Sequence, residues 1–405
     1  MNYTDLTILA LFIFLYCVIS GRADRTPING ALVYTLFGLA FGAWGLGLLS
    51  FEVDSENLRT IAELTLALVL FSDAAKSDLK VLRQTIAVPR RLLLIGLPLT
   101  IALGILSGVF LFPHLSFFEV AVLAIMLAPT DAALGKAVVS NPVVPAYIRQ
   151  GLNAESGLND GICVPILYVF LALATGQTTT EASGGLALKL VLEELGIGVL
   201  VGVGLTALLT TILRAAAHRG WIIDTWQQLP VITMALSCFA AAQWLGGSGF
   251  IAAFSGGLLF GRLAQAEKNE LLIAAEGTGE VLALLTWVAF GAGVVSKALP
   301  QLNWEVVLYA IMSLTVIRIV PVYLCLAGTG ANLREKMFIG WFGPRGLASI
   351  VFGVIVMDQH LPGNDTLTLT VTVTILLSVI AHGITANPFA TRLGRDDAPS
   401  GGAAP

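Results

Sequence analysis

The stretch AIMLAPTDAALGKA (residues 124–137) sets a proline, a threonine and an aspartate in the middle of an apolar run. About twenty apolar residues in a row cross the hydrocarbon of a bilayer as a helix. Proline breaks such a helix, because it lacks a backbone donor and clashes with the preceding turn. Pro129 therefore frees carbonyls near Ile125 and Met126. A second apolar run, FIGWFGPRGLASIVFG (338–353), crowds Gly343, Pro344 and Gly346 around Arg345 and reads as broken in the same way. Interrupted spans at matching places in two halves mark an inverted-repeat transporter with its site at the breaks. The halves show no residue-level repeat, so hydropathy and the placement of the breaks carry this reading.

The rest of the chain agrees with a membrane setting. Of its 405 residues 56% are hydrophobic and only 12% charged, against roughly 25% charged in a typical soluble protein. No run of short alternating strands suggests a β-barrel. The chain reads as an all-α polytopic membrane protein with thirteen spans, near 3–20, 28–50, 57–73, 91–112, 117–139, 147–175, 185–214, 229–246, 249–263, 278–297, 304–327, 335–358 and 366–388. Only GGSG (246–249) separates the eighth from the ninth, and fusing them gives twelve. Charge placement favours thirteen. With the N-terminus outside and the C-terminus inside, seventeen of the twenty-two Lys and Arg residues fall on the cytoplasmic side, as the positive-inside rule requires. The first run lacks a basic leader and a small-residue cleavage site, so it is expected to be a retained helix. Residues 1–391 form the transmembrane unit, and 392–405 are expected to be a short disordered cytoplasmic tail with no soluble domain attached. The four cysteines lie in apolar runs without C-x-x-C spacing and read as packing residues, not as a metal or disulfide framework.

The sixth span carries NAESGLNDG (153–161). At helical pitch Ser156 and Asp160 lie one turn apart on one face, and Glu155 and Asn159 form a second pair beside them, all within an arc of roughly 140°. A carboxylate facing lipid costs at least about 2.5–3.5 kcal/mol, so an acid kept inside a span is a functional candidate. Locked structural ion pairs are the plainer alternative. At the break of the fifth span, Thr130, Asp131 and the freed carbonyls are hard oxygen ligands suited to a small alkali cation. Asp131 also suits capping of the half-helix after Pro129. Arg345 is the natural counter-charge. If it pairs with Glu155, Asp160 is left as the acid without a dedicated partner, where a proton and a metal ion compete for one site. Asp73, closing LVLFSDAAKSD (68–78), either reaches this site or caps a span end. Glu280 and Arg318 are intramembrane charges expected to pair with each other. GGSGFIAAFSGGLLFG (246–261) has the small residues that close helix packing requires. His218 and His382 give no strong sign of a pH sensor.

These motifs together resemble the monovalent cation:proton antiporter family, in its NhaP-type sodium/proton exchanger branch. APTDAAL (128–134) is similar to the family's fifth-span motif, NAESGLNDG to its Asn-Asp motif and FGPRGLAS (342–349) to its arginine-bearing break. AHGITANP (381–388) also fits, so the resemblance covers essentially the whole membrane unit. It implies an NhaA-like antiporter fold of thirteen helices, with a core containing two crossing unwound helices, a dimerisation part and elevator-like alternating access. It also implies Asp160 as the shared proton and cation carboxylate, with Thr130, Asp131 and Ser156 in or near the ion's coordination. Glu155 with Arg345 is the implied stabilising ion pair, and Asn159 stands where the electrogenic branch has a second aspartate. Asp73 falls where many relatives have glutamate. The long cytoplasmic regulatory region of animal relatives has no counterpart in these residues.

The function expected is therefore Na⁺/H⁺ exchange across the inner membrane, electroneutral and 1:1, by a homodimer. No cofactor, nucleic-acid partner or enzymatic activity is expected. K⁺/H⁺ exchange on the same scaffold is the near rival. An intramembrane hydrolase using Asp131 with Asp160 is a remote one, and the broken helices and the arginine argue against it. No continuous pore lined by rings of ligands suggests a channel.

Overall fold

The apolar runs singled out above lie mostly on helix in the computed structural model, and no strand occurs among the described residues. The structure describes residues 3–23, 26, 29–49, 56–76, 87–131, 134–139, 141, 143–176, 181–223, 226–265 and 268–396. The basic loop residues Arg25, Lys80 and Arg83, and the expected tail from 397 onward, lie outside the described residues.

The first helices are α1 (Tyr3–Ala23), α2 (Gly30–Phe41) and α3 (Glu56–Lys76). Helix α4 (Ala87–Leu111) contains one π-helical turn at Leu92–Gly96. The fifth span is two pieces, α5 (Phe117–Met126) and the single turn α6 (Lys136–Val139), on either side of Pro129. The long α7 (Ala146–Ala174) carries the acidic stretch. It is followed by α8 (Glu181–His218), α9 (Leu229–Trp244) and α10 (Gly249–Leu263). Helix α11 (Lys268–Ala289) runs on through a π turn, Phe290–Val295. Helix α12 (Trp304–Cys325) bends at Thr315, where φ is −116° and ψ −92°. The twelfth span is α13 (Leu333–Trp341) and α14 (Leu347–Met357), parted at 342–346. Last comes α15 (Asn364–Asp396), which stays helical five residues beyond the expected end of the transmembrane unit at 391.

Seven described helices are long and apolar enough to cross a bilayer, and α2, α5, α9, α10 and α14 are shorter apolar helices. The two helices flanking GGSG are separate. Gly246 turns the chain at φ +76°, a value that favours glycine, and Ser248 then caps α10 by accepting from the Ile251 N–H.

Local chemistry explains how polar residues fit these helices. Thr370, Thr372 and Thr374 in α15 each donate to the carbonyl four residues back at 2.7 Å, so these three hydroxyls are satisfied within their own helix. Glu119 closes a capping box with Ser116 at the start of α5 and also accepts from the Gly363 N–H at 2.6 Å.

Helices α2, α3 and α8–α11 pack as one group, and α4–α7 with α12–α15 as another. The small residues of α10 serve the contact with α3. A Cβ on Gly257 would lie 2.3 Å from the Phe71 carbonyl oxygen, and one on Gly261 2.2 Å from that of Ala75. Backbones this close leave room only for glycine. Helix α3 also touches α7 and α14, and so faces the second group.

Candidate functional site

The two breaks meet, and they satisfy each other's backbone. The Asp131 N–H donates to the Pro344 carbonyl at 2.8 Å. In return the Asp131 carboxylate accepts from the Leu347 N–H at 2.9 Å and from the Leu134 N–H at 3.2 Å. One side chain thus caps the turn after its own break and the start of α14 in the other span, where a carboxylate suits the positive end of the helix. The approach is close enough that a Cβ on Gly346 would lie 2.0 Å from Asp131 Oδ2. The carbonyls freed by Pro129 are also taken up. Ser349 donates its hydroxyl to the Met126 carbonyl at 2.7 Å. Arg345 Nη1 lies 3.3 Å from the carbonyls of both Ala128 and Pro129 and 3.2 Å from that of Gly343.

Arg345 is fully buried, and that carbonyl cradle is its work. The expected pairing of Glu155 with Arg345 is therefore corrected: Glu155 pairs with Arg318. Two parallel hydrogen bonds, Arg318 Nη1 to Oε1 at 2.6 Å and Nη2 to Oε2 at 2.7 Å, join side chains that are each 1% exposed. The bend of α12 at Thr315 precedes Arg318 by one turn, and Gly343 makes room for the guanidinium. A Cβ at Gly343 would stand 2.4 Å from Arg318 Nε. The expected pair of Glu280 with Arg318 is corrected by the same geometry, since Arg318 is engaged by Glu155 and Glu280 instead lines a cavity.

That cavity, of about 360 Å³, lies between the two helix groups and is walled by α3, α7, α11, α14 and the break of the fifth span. The sixth span divides its polar residues between two directions. Ser156 and Asp160 line the cavity, while Glu155 and Asn159 are buried behind it. Asn159 Nδ2 donates to Thr130 Oγ1 at 2.8 Å, and Thr130 Oγ1 shares a 2.9 Å hydrogen bond with Ser156 Oγ. Thr130 and Asn159 thus support the Ser156 hydroxyl from the protein side. Asp160 is half-buried, and its Oδ1 has no hydrogen-bond partner among the described residues. Asp131 and Asp73 line the same cavity. Of the sequence candidates, then, Asp160, Asp131, Ser156, Asp73 and Glu280 share the cavity, Thr130 and Asn159 stand behind it, and Glu155, Arg318 and Arg345 hold the broken helices around it.

Several residues here had no role in the sequence reading. Ser378 accepts from the Arg345 N–H at 2.7 Å, and its carbonyl lies 2.8 Å from His382 Nδ1. His382 Nε2 lies 2.8 Å from the Trp341 carbonyl at the end of α13. Lys76 and Glu276 line the cavity and pair with each other at 3.2 Å. At the other end of α3, Arg59 bonds Glu63 at 2.7 Å and reaches Asp358 beyond α14.

Two broken helices whose breaks bond to each other, beside an acid on a cavity wall with an unpartnered carboxylate oxygen, define a helical membrane transporter core. The family profile described as sodium/hydrogen exchanger, transmembrane, matches residues 8–392. The chain belongs to this family of monovalent cation:proton antiporters. Among its relatives is a K(+)/H(+) antiporter, NhaP2, of Shewanella sp. (strain MR-4), 23% identical over 96% of this chain and 67% of that protein. A Na(+)/H(+) antiporter of Schizosaccharomyces pombe is 28% identical over 59% of this chain and 54% of its own length. The fold matches the sodium proton antiporter MjNhaP1 from Methanocaldococcus jannaschii with a TM-score of 0.75, at 19% identity, over 96% of this chain and 98% of that one.

Proposed function

We propose that this chain exchanges one Na⁺ for one H⁺ with Asp160 as the shared carboxylate. The observation that carries this reading is Asp160 itself, an acid on the cavity wall with an unengaged oxygen, one helical turn from the Ser156 hydroxyl. Asp131 lines the same cavity, and with Ser156 and Asp160 it supplies hard oxygen ligands of the kind an alkali cation takes. A proton on Asp160 removes the charge that attracts the cation, so each species leaves before the other binds. Glu155 is neutralised by Arg318, and Asn159 adds no charge. One titrating acid then trades one proton for one cation, and no net charge crosses.

The proposed setting is a bacterial inner membrane, with residues 1–391 forming thirteen spans, the N-terminus outside, and two copies joined as a dimer. Lys76 and Glu276 are on the cavity wall, and the positive-inside rule assigns the end of α3 that carries Lys76 to the cytoplasm. Access alternates as α4–α7 and α12–α15 move as a body against the other helices. K⁺ is the second reading, favoured by the NhaP2 relatives that align with 96% of this chain. Purified protein in vesicles, with a pH-gradient dye and Na⁺, Li⁺, K⁺ or Rb⁺ added in turn, separates the two. Dequenching by Na⁺ at lower concentration than by K⁺ supports the first reading, and the reverse order selects the second. An exchange rate that responds to membrane potential would overturn the 1:1 stoichiometry.

A further inference from the structure

The cavity wall carries five carboxylates, those of Asp73, Asp131, Asp160, Glu276 and Glu280, and among the described residues a single cationic side chain, Lys76. The Lys76 ammonium sits 3.2 Å from Glu276 Oε1 on α11 and 4.0 Å from Asp73 Oδ1, one turn back on α3. Its side chain is 44% exposed, and it shares the cavity wall with Asp160. A lysine is a compact point charge on a flexible stem with three donors, and it can shift between two carboxylates. Grooves lined by one sign of charge concentrate the opposite ion. A fixed ammonium among these acids weakens that concentration and competes with the incoming ion for the same oxygens. Helix α3 packs with the group that holds α10 and α11, so Lys76 and Glu276 belong to one wall of the cavity.

We propose that Lys76 is a tethered competitor that sets the affinity of the site for its transported cation. This rests on the exchange reading above. The alternative is an exposed ion pair with no bearing on transport, as many half-exposed pairs are.

The test is initial exchange rate against cation concentration in vesicles for the wild type, Lys76→Gln and Lys76→Arg, with Asp160→Asn as a control on the exchange reading. Exchange by the wild type and its loss in Asp160→Asn establish that reading independently of Lys76. Lys76→Gln is expected to lower KM by up to about fivefold, the ceiling set by one unit charge at about 4 Å in a water-filled cavity. Vmax stays within about twofold on the same reasoning, and Lys76→Arg keeps the wild-type KM. Raising the ionic strength with an impermeant salt narrows the difference, as screening requires. An unchanged or raised KM in Lys76→Gln overturns the proposal. If that variant is poorly folded, Lys76→Cys in a Cys17→Ser background gives a second arm on one folded protein. A trimethylammonium thiol reagent should then raise KM and a neutral methylating one should not; equal KM values after both reagents overturn the proposal as well.

Discussion

The exchange of partners between the two buried arginines leads to a sharp prediction. Glu155 and Arg318 are each 1% exposed and joined by two hydrogen bonds of 2.6 and 2.7 Å. Glu155→Gln leaves the Arg318 guanidinium buried without its counter-charge, and removing one partner of such a pair costs about 3–5 kcal/mol. Replacing both with apolar residues of similar size, as in Glu155→Leu with Arg318→Met, is often neutral, because the desolvation penalty of both ions goes with them. The double variant should therefore be far more stable than Glu155→Gln alone. Unfolding by denaturant in mixed micelles measures this as a double-mutant cycle. The coupling energy between Glu155 and Arg318 should reach about 3 kcal/mol, and that between Glu155 and Arg345 should be clearly smaller. The Arg345 guanidinium bonds the carbonyls of Ala128, Pro129 and Gly343, which no substitution at Glu155 removes. A larger coupling with Arg345, or none with Arg318, would refute this division of roles.

Other expectations follow from neighbouring contacts. Gly346→Ala sets a Cβ 2.0 Å from Asp131 Oδ2, which must displace the carboxylate from the start of α14; exchange measured in vesicles should fall by more than about tenfold, as for loss of a buried charge-assisted hydrogen bond. Asp358→Asn removes the exposed bond to Arg59, and unfolding in the same micelle assay should show a loss of no more than about 1 kcal/mol. If a proton and the cation compete for Asp160 alone, the KM for the cation should rise about tenfold for each unit that pH falls through the acidic limb, with Vmax unchanged; a rise of about a hundredfold per unit would mean a second titrating acid.

Much of the scaffold was legible because its signals are strong and local. Pro129, and the crowding of Gly343, Pro344 and Gly346, announce interrupted helices, and α5 with α6 and α13 with α14 are parted at those residues. The division of acids in the sixth span was also legible in kind, one acid engaged by an arginine and Asp160 left with an open oxygen. Which arginine engages Glu155 was not. That depends on the bend of α12 at Thr315 and on the missing Cβ at Gly343, both three-dimensional facts with no periodicity to reveal them. Asn159 was read for the charge it lacks, whereas its amide holds Thr130 in place beneath Ser156. The sequence offers Asp131 as an oxygen ligand and as a cap for its own half-helix; that it caps the other broken span as well is visible only in the fold. Lys76 and Glu276 escaped notice because each lies near a span end, where a charge is ordinary, and only the packing of α3 against α11 brings them into one cavity.

The most direct measurement is transport by purified Asp160→Asn beside the wild type, in vesicles, across Na⁺, Li⁺, K⁺ and Rb⁺. The substitution keeps the volume of the side chain and leaves the crossing of the broken helices intact, while removing the one acid on α7 that faces the cavity. A single shared carboxylate predicts no exchange for any cation in a protein that still folds and purifies as the wild type does. Residual proton-coupled exchange in Asp160→Asn would contradict it.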